Sequence, residues 1–171
     1  AALIQGAADG RVIRTPGRGA TINLLGTVTI PSGATYICDA KVQSGSQTDI
    51  FSVSGKTNAT LKLNNSLTGN SSNVLQNGVI GVGANFCTVE ILGEIKGIKN
   101  KGVSLSGQTS GGTTAKHNLV RIRKVTGCNS STGAGLSLFG DKCTDNVVYV
   151  DDASLNRLGV TFNGAHDNQA Y

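Results

Sequence analysis

The chain has 171 residues and a formal net charge of +5, with 24 glycines, 15% charged residues, 4% aromatics, and neither Trp nor Met. That length suffices for one domain with a real core. No apolar run approaches the ~20 residues needed to span a bilayer, so membrane insertion is not expected. The basic residues cluster only at Arg11, Arg14 and Arg18 and at Arg121, Arg123 and Lys124, and three tyrosines and four phenylalanines offer little for base stacking. Nucleic acid is therefore not the expected partner.

Gly, Asn, Ser and Thr dominate the remainder, and these are turn formers and poor helix formers. No window carries an apolar stripe at helical spacing, so the expected class is all-β. Both prolines, Pro16 and Pro31, lie early, leaving the later backbone free to donate to sheet ladders. Cys38, Cys87, Cys128 and Cys143 show no CxxC spacing and no paired histidines, so neither a metal nor a cofactor is expected. Buried thiols are favoured over disulfides.

In chain order, residues 1–20 read as a lead-in or cap, with one possible strand from Arg11 to Thr15, and residues 21–171 as the main domain. Thr21 to Ile30 holds two short β-rich runs meeting at Gly26. Pro31-Ser32-Gly33 is a turn, and Ala34 to Val42 resumes the strand pattern. Ile50 to Gly55 then introduces a phrase with Phe51 and Val53 inward and Ser52 outward. Gly102 to Gly107, Gly135 to Gly140 and Gly159 to Gly164 repeat it as glycine, apolar, Ser/Thr, apolar, variable, glycine.

A shorter strand precedes each later phrase, starting at Leu61, Val89, Val120 and Val148, with spacings of 28, 31 and 28 residues. Repetition at such periods signals a stacked architecture. A parallel stack places like residues on like residues, about 4.8 Å apart. Leu61, Val89, Val120 and Val148 then form one apolar column, Leu63, Ile91, Ile122 and Val150 another, and Val53, Leu105, Leu138 and Phe162 a third. Ser52, Ser104, Ser137 and Thr161 form an outward hydroxyl ladder. Lys62, Glu90, Arg121 and Tyr149 form an outward column in which opposite charges are neighbours. In Gly78 to Gly83 either Val79 and Gly81 or Ile80 and Val82 could face inward; the latter pair is expected, because a buried Gly81 would leave a void. The expected architecture is a single-stranded parallel β-helix of about five coils, two strands per coil. Its start at Ala1 and stop at Tyr171, in mid-pattern, predict a piece of a longer chain.

The segment IPSGATYICDAKV, the GVSLSG, GLSLFG and GVTFNG phrases, and the strand Asn146-Val147-Val148-Tyr149-Val150 resemble the right-handed β-helices of the pectate-lyase-like superfamily. Among these the chain is most similar to the central domains of bacteriophage tailspike and tail-fibre proteins, over roughly residues 20–171. The resemblance implies right-handedness, a homotrimer or larger virion assembly, an extracellular setting in a virion tail, and recognition or cleavage of a bacterial surface polysaccharide during host attachment. No catalytic motif of the family is matched.

Three functions follow as expectations: a structural, polysaccharide-binding tail protein; a depolymerase, hydrolase or lyase, of the same fold; and a bacterial β-solenoid adhesin. Glycoside hydrolysis needs two carboxylates across the scissile bond. Glu90, Glu94, Asp141, Asp145, Asp151 and Asp152 are the acids available, with Glu90 and Asp151 near one face as the candidate pair. A lyase would need a base such as Arg121, Arg123 or Lys124, but no dense acidic cluster for a supporting ion is present. Binding alone requires donors, charges and a few rings, for which Arg121, Arg123 and Tyr149, beside Glu90 and Asp151, are the candidates. His117 and His166 lie in polar loops without partners at ligand spacing.

Overall fold

A computed structural model describes residues 12–15, 17, 19–45, 48–70, 72 and 75–171. Among these there is no helix, and every strand pairing is parallel. The strands stack as a β-solenoid of about six turns, one more than the repeats predict, and consistent with a right-handed β-helix. The first sheet stacks Val12–Thr15, Thr35–Cys38, Thr60–Leu63, Thr88–Lys96, Leu119–Val125, Val147–Asp152 and Gln169–Ala170. The second sheet stacks Val28–Thr29, Phe51–Ser52, Val79–Val82, Lys101–Ser106, Ala134–Phe139 and Leu158–Asn163.

The ladder reaches back to Val12–Thr15, which pairs with Thr35–Cys38 within the span read as a lead-in. Arg11 and Arg18, two of the early basic cluster, and residues 1–10 of that lead-in lie outside the described residues. Each coil also has a third side that two-strand counting overlooks. Thr21–Leu24 pairs with Lys41–Ser44, which pairs with Leu67–Thr68, which pairs with the end of Thr88–Lys96. These runs are only two to four residues long, too short to show a period.

Two of the predicted apolar columns form in register; in the third, Leu105 and Leu138 are buried, but Gly81 stands between Val53 and Leu105, and Phe162, on the last second-sheet strand, is 43% exposed. Leu61, Val89, Val120 and Val148 stack, as do Leu63, Ile91, Ile122 and Val150. Periodicity works here because a parallel rung places each inward residue on its equivalent, so a column stays apolar only if every coil keeps phase. Phe51 and Val53 are fully buried and Ser52 is partly exposed, as their alternation requires.

The phase of Gly78 to Gly83 is the reverse of that expected. Val79 and Gly81 face inward, while Ile80 is half-buried and Val82 is exposed. The feared void is filled by neighbours. A Cβ on Gly81 would meet Leu105 Cδ2 at 2.6 Å, Val53 Cγ2 at 3.1 Å and Ala84 Cβ at 3.2 Å. The glycine is what lets large residues above and below share the space. Consequently Ile80, paired with Ser52 and Ser104, interrupts the expected hydroxyl ladder; Ser104, Ser137 and Thr161 stay contiguous.

A β-bulge shifts register between Ile91 and Glu94, so Leu92 and Gly93 together oppose Arg123 of the next coil. A Cβ at Gly93 would collide with the Asn65 carbonyl. All four cysteines are free and buried. Burial pushes the Cys128 and Cys143 thiols up to about 11, which keeps them protonated.

The corner before each first-sheet strand from Thr35–Cys38 onward repeats a left-handed residue, namely Gly33, Asn58, Phe86, His117, Asp145 and Asp167, with φ between 53° and 72°. The side chain after it plugs the corner: Ala34, Ala59, Cys87, Asn118, Asn146 and Asn168. The last three form an amide ladder, buried at Asn118 and Asn146 and half-buried at Asn168. Asn118 Nδ2 donates to Asn146 Oδ1 at 2.8 Å, and Asn146 Nδ2 donates to Asn168 Oδ1 at 2.9 Å.

Candidate functional site

Strand alternation sends Lys62, Glu90, Arg121 and Tyr149 outward from the first sheet, and the parallel register pairs them rung by rung. Lys62 Nζ lies 2.8 Å from Glu90 Oε2, and Arg121 Nη1 lies 3.9 Å from Glu90 Oε1. These partly exposed ion pairs stabilise the column by about 0.2–1 kcal/mol each. The Arg121 guanidinium then sits 5.2 Å from the centroid of the Tyr149 ring, a cation–π contact. Tyr149 stacks on Tyr171 with centroids 5.0 Å apart and an interplanar angle of 16°. The result is a continuous outward strip of ammonium, carboxylate, guanidinium and two rings.

Arg123 and Asp151 fall two residues further along their strands, in a neighbouring outward row, and both are exposed. They flank the pairings of Ile122 with Val150 and of Lys124 with Asp152. Glu90 and Asp151 share the face but stand two rungs and two residues apart, about 12 Å between Cα atoms from standard strand spacings. The Glu90 carboxylate is nearer Lys62 than Arg121, which draws it toward the earlier coil and away from Asp151. As arranged, the strip offers fixed charges and ring faces more directly than a paired acid and base.

Next to it, Lys124 Nζ lies 3.8 Å from Glu94 and 3.7 Å from Asp152. Asp152 also accepts the Ser154 backbone N–H at 2.8 Å. Ser154 foremost, with Lys124 adding to it, holds the Asp152 carboxyl below its ordinary value. Among the described residues, no three His, Cys, Asp or Glu side chains converge as a metal site. His117 stacks on Phe86 at 4.8 Å, and His166 Nδ1 lies 2.7 Å from Asp167 Oδ2.

Two parts of this surface escape sequence reasoning. Tyr171 completes the ring stack, but the last coil is shorter than its predecessors, so Tyr171 falls out of the spacing that located Tyr149. The other is a depression of about 510 Å³ beside Lys62, lined by Asp39, Lys62, Asn64, Asn65 and Leu92. Its Asp39 carboxylate, largely buried, accepts from Arg14 Nε at 2.7 Å and from Asn64 Nδ2 at 2.6 Å. Three consecutive coils meet there at a corner, and no motif in one stretch of chain announces it.

In comparisons with known proteins, no family model, no curated protein and no solved structure matches this chain.

Proposed function

We propose that this chain is a β-helical part of a virion tailspike or tail fibre, homotrimeric, which holds bacterial surface polysaccharide against its first sheet during host attachment. The observation that carries the reading is the outward strip from Lys62 to Tyr171 with the adjoining depression at Asp39 and Asn64. A polymer of repeating sugars suits a ladder of repeating rungs. Tyrosine faces take the apolar side of a ring while charged and amide groups take its hydroxyls. The strip is preorganised, because the rungs fix its spacing before any ligand arrives.

The test is binding of purified bacterial surface polysaccharides to immobilised protein, with release of reducing ends assayed in parallel. Tyr149→Ala and Arg121→Ala should each weaken binding about tenfold, the effect of ~1.4 kcal/mol. Wild-type affinity in both variants would remove the first sheet as the site. Release of reducing ends that vanishes in Glu90→Gln or Asp151→Asn would replace the binding reading with the depolymerase one. Sedimentation showing a stable monomer would overturn the trimer.

A further inference from the structure

A groove of about 330 Å³ lies along the second sheet, lined in part by Lys101, Ser137, Phe139, Arg157, Thr161 and Asn163. The register sets Ser137 beside Thr161 and Phe139 beside Asn163, so hydroxyls form one row and a ring with an amide the next. Its size is at the lower end of small-molecule sites, ~300–1,000 Å³. No Asp or Glu lines it, although Lys101 and Arg157 do. Among the described residues, neither cation has an ion-pair partner. Lys101 is half-buried, and burial holds its ammonium below the ordinary lysine value, with no acid nearby to offset it. A partly desolvated cation without a counter-charge costs free energy that an arriving anion would recover.

Arg157 projects from a fixed base. Its backbone N–H donates to Cys128 O at 2.9 Å. The preceding Asn156 donates to Val125 O at 2.9 Å and Ala153 O at 2.8 Å, and accepts from Cys128 N at 2.9 Å. Across the groove, Asn100 donates to Asn77 Oδ1 at 3.0 Å, and its carbonyl accepts from Ala134 N at 3.0 Å, which anchors the backbone before Lys101. Two cations are therefore held at the rim of a groove whose floor carries neutral donors and a partly exposed phenyl ring.

We propose that this groove binds a carboxylate-bearing sugar. The Arg157 guanidinium and Lys101 ammonium take the carboxylate through charge-assisted hydrogen bonds. The Phe139 ring packs against the C–H face of the pyranose, and Thr161 and Asn163 bond its hydroxyls. The ligand class rests on the saccharide reading above; the site itself does not.

The experiment is calorimetric titration of the full chain with a tetrasaccharide of glucuronic acid and, separately, with its methyl ester. The acid should bind about tenfold more tightly than the ester, with an advantage that shrinks as salt rises. Arg157→Gln and Lys101→Gln should each bring the acid toward the ester's affinity, while Phe139→Ala should weaken both ligands. Circular dichroism checks that these variants, at exposed or half-buried positions, keep the fold. Equal affinity for acid and ester, wild-type affinity in the Arg157→Gln/Lys101→Gln double variant, or no binding of the acid would each overturn the proposal. So would displacement of the tetrasaccharide by an equal concentration of inorganic phosphate, which would reduce the groove to a simple anion site. If Tyr149→Ala abolishes binding and Arg157→Gln does not, the groove fails and the first-sheet reading stands. The reverse pattern supports the groove and counts against the first sheet.

Discussion

Ala34, Ala59 and Cys87 plug the corner before the first-sheet strands in the early coils, whereas Asn118, Asn146 and Asn168 plug it in the later ones. In the later coils each amide reaches back to the carbonyl three residues ahead of the previous plug. Asn118 Nδ2 donates to Ala84 O at 2.8 Å, Asn146 Nδ2 to Ala115 O at 3.0 Å, and Asn168 Nδ2 to Cys143 O at 2.8 Å. Cys87 makes the same reach with a weaker donor, its Sγ lying 3.3 Å from Lys56 O. Asn118 Oδ1 in turn accepts from Cys87 N at 2.9 Å. Ala34 and Ala59 only fill space. One backbone corner therefore tolerates two chemistries, provided that each plug matches the one above and below it. A column of amides satisfies itself, and a column of methyl groups needs no satisfaction.

Breaking the amide column should have the largest effect. Asn146→Ala removes the shared acceptor of the Asn118 backbone N–H and of one Asn118 side-chain N–H, and takes a donor from the Ala115 carbonyl. At ~1–3 kcal/mol per buried unsatisfied group, the loss should be about 3 kcal/mol or more, read from urea midpoints at constant slope. Placing an amide in the methyl column, Ala59→Asn, should cost about 1–3 kcal/mol by overpacking a buried site. Cys87→Asn is the sharpest comparison, because it extends the amide column by one coil toward carbonyls already in place. It should change stability by less than about 1 kcal/mol, far less than Ala59→Asn. An equal loss in both would show that the match between neighbours does not govern the corner.

Smaller effects concern the ends of the comparison. Cys143 and Cys128, raised to about 11 by burial, should react with an aromatic disulfide reagent only as fast as the coil opens. Reaction in the folded state at the rate of a free thiol would contradict their burial. His166, at the last described corner, has its basicity raised first by Asp167 and then by the Asp141 carbonyl. Its folded pKa lies above its unfolded value, so its contribution is complete below ~6.5 and fades as pH rises through the folded value. Between about pH 6 and about pH 8 the wild type should lose slightly more stability than His166→Gln.

The inward columns were legible because a parallel stack repeats them at nearly fixed spacing, as with Leu61 through Val148. Gly81 was not, since its space is filled by Leu105 and Val53 from neighbouring coils, a relation no local pattern carries. The left-handed corner was equally hidden, since Asn58, Asp145 and Asp167 are types that favour this conformation but abound elsewhere in the chain, while Phe86 adopts it without that preference. Of the first-sheet strip, Lys62 to Tyr149 followed from register alone. Tyr171 required knowing that the final coil is short, and the Asp39 depression required three coils at once. Neither the cations nor the ring of the second-sheet groove stood out, because Lys101, Phe139 and Arg157 come from three different coils.

The amide and apolar ladders run along the solenoid axis, in line with the backbone hydrogen bonds that join one coil to the next. A coil of about 28 residues rises only ~4.8 Å, yet would extend to roughly 90 Å if pulled straight at ~3.3 Å per residue. Tension along the axis therefore loads a single rung at a time and pays out a long tether at each rupture. Such a rod yields in discrete steps, with the coil of Asn146 holding longer than that of Ala59.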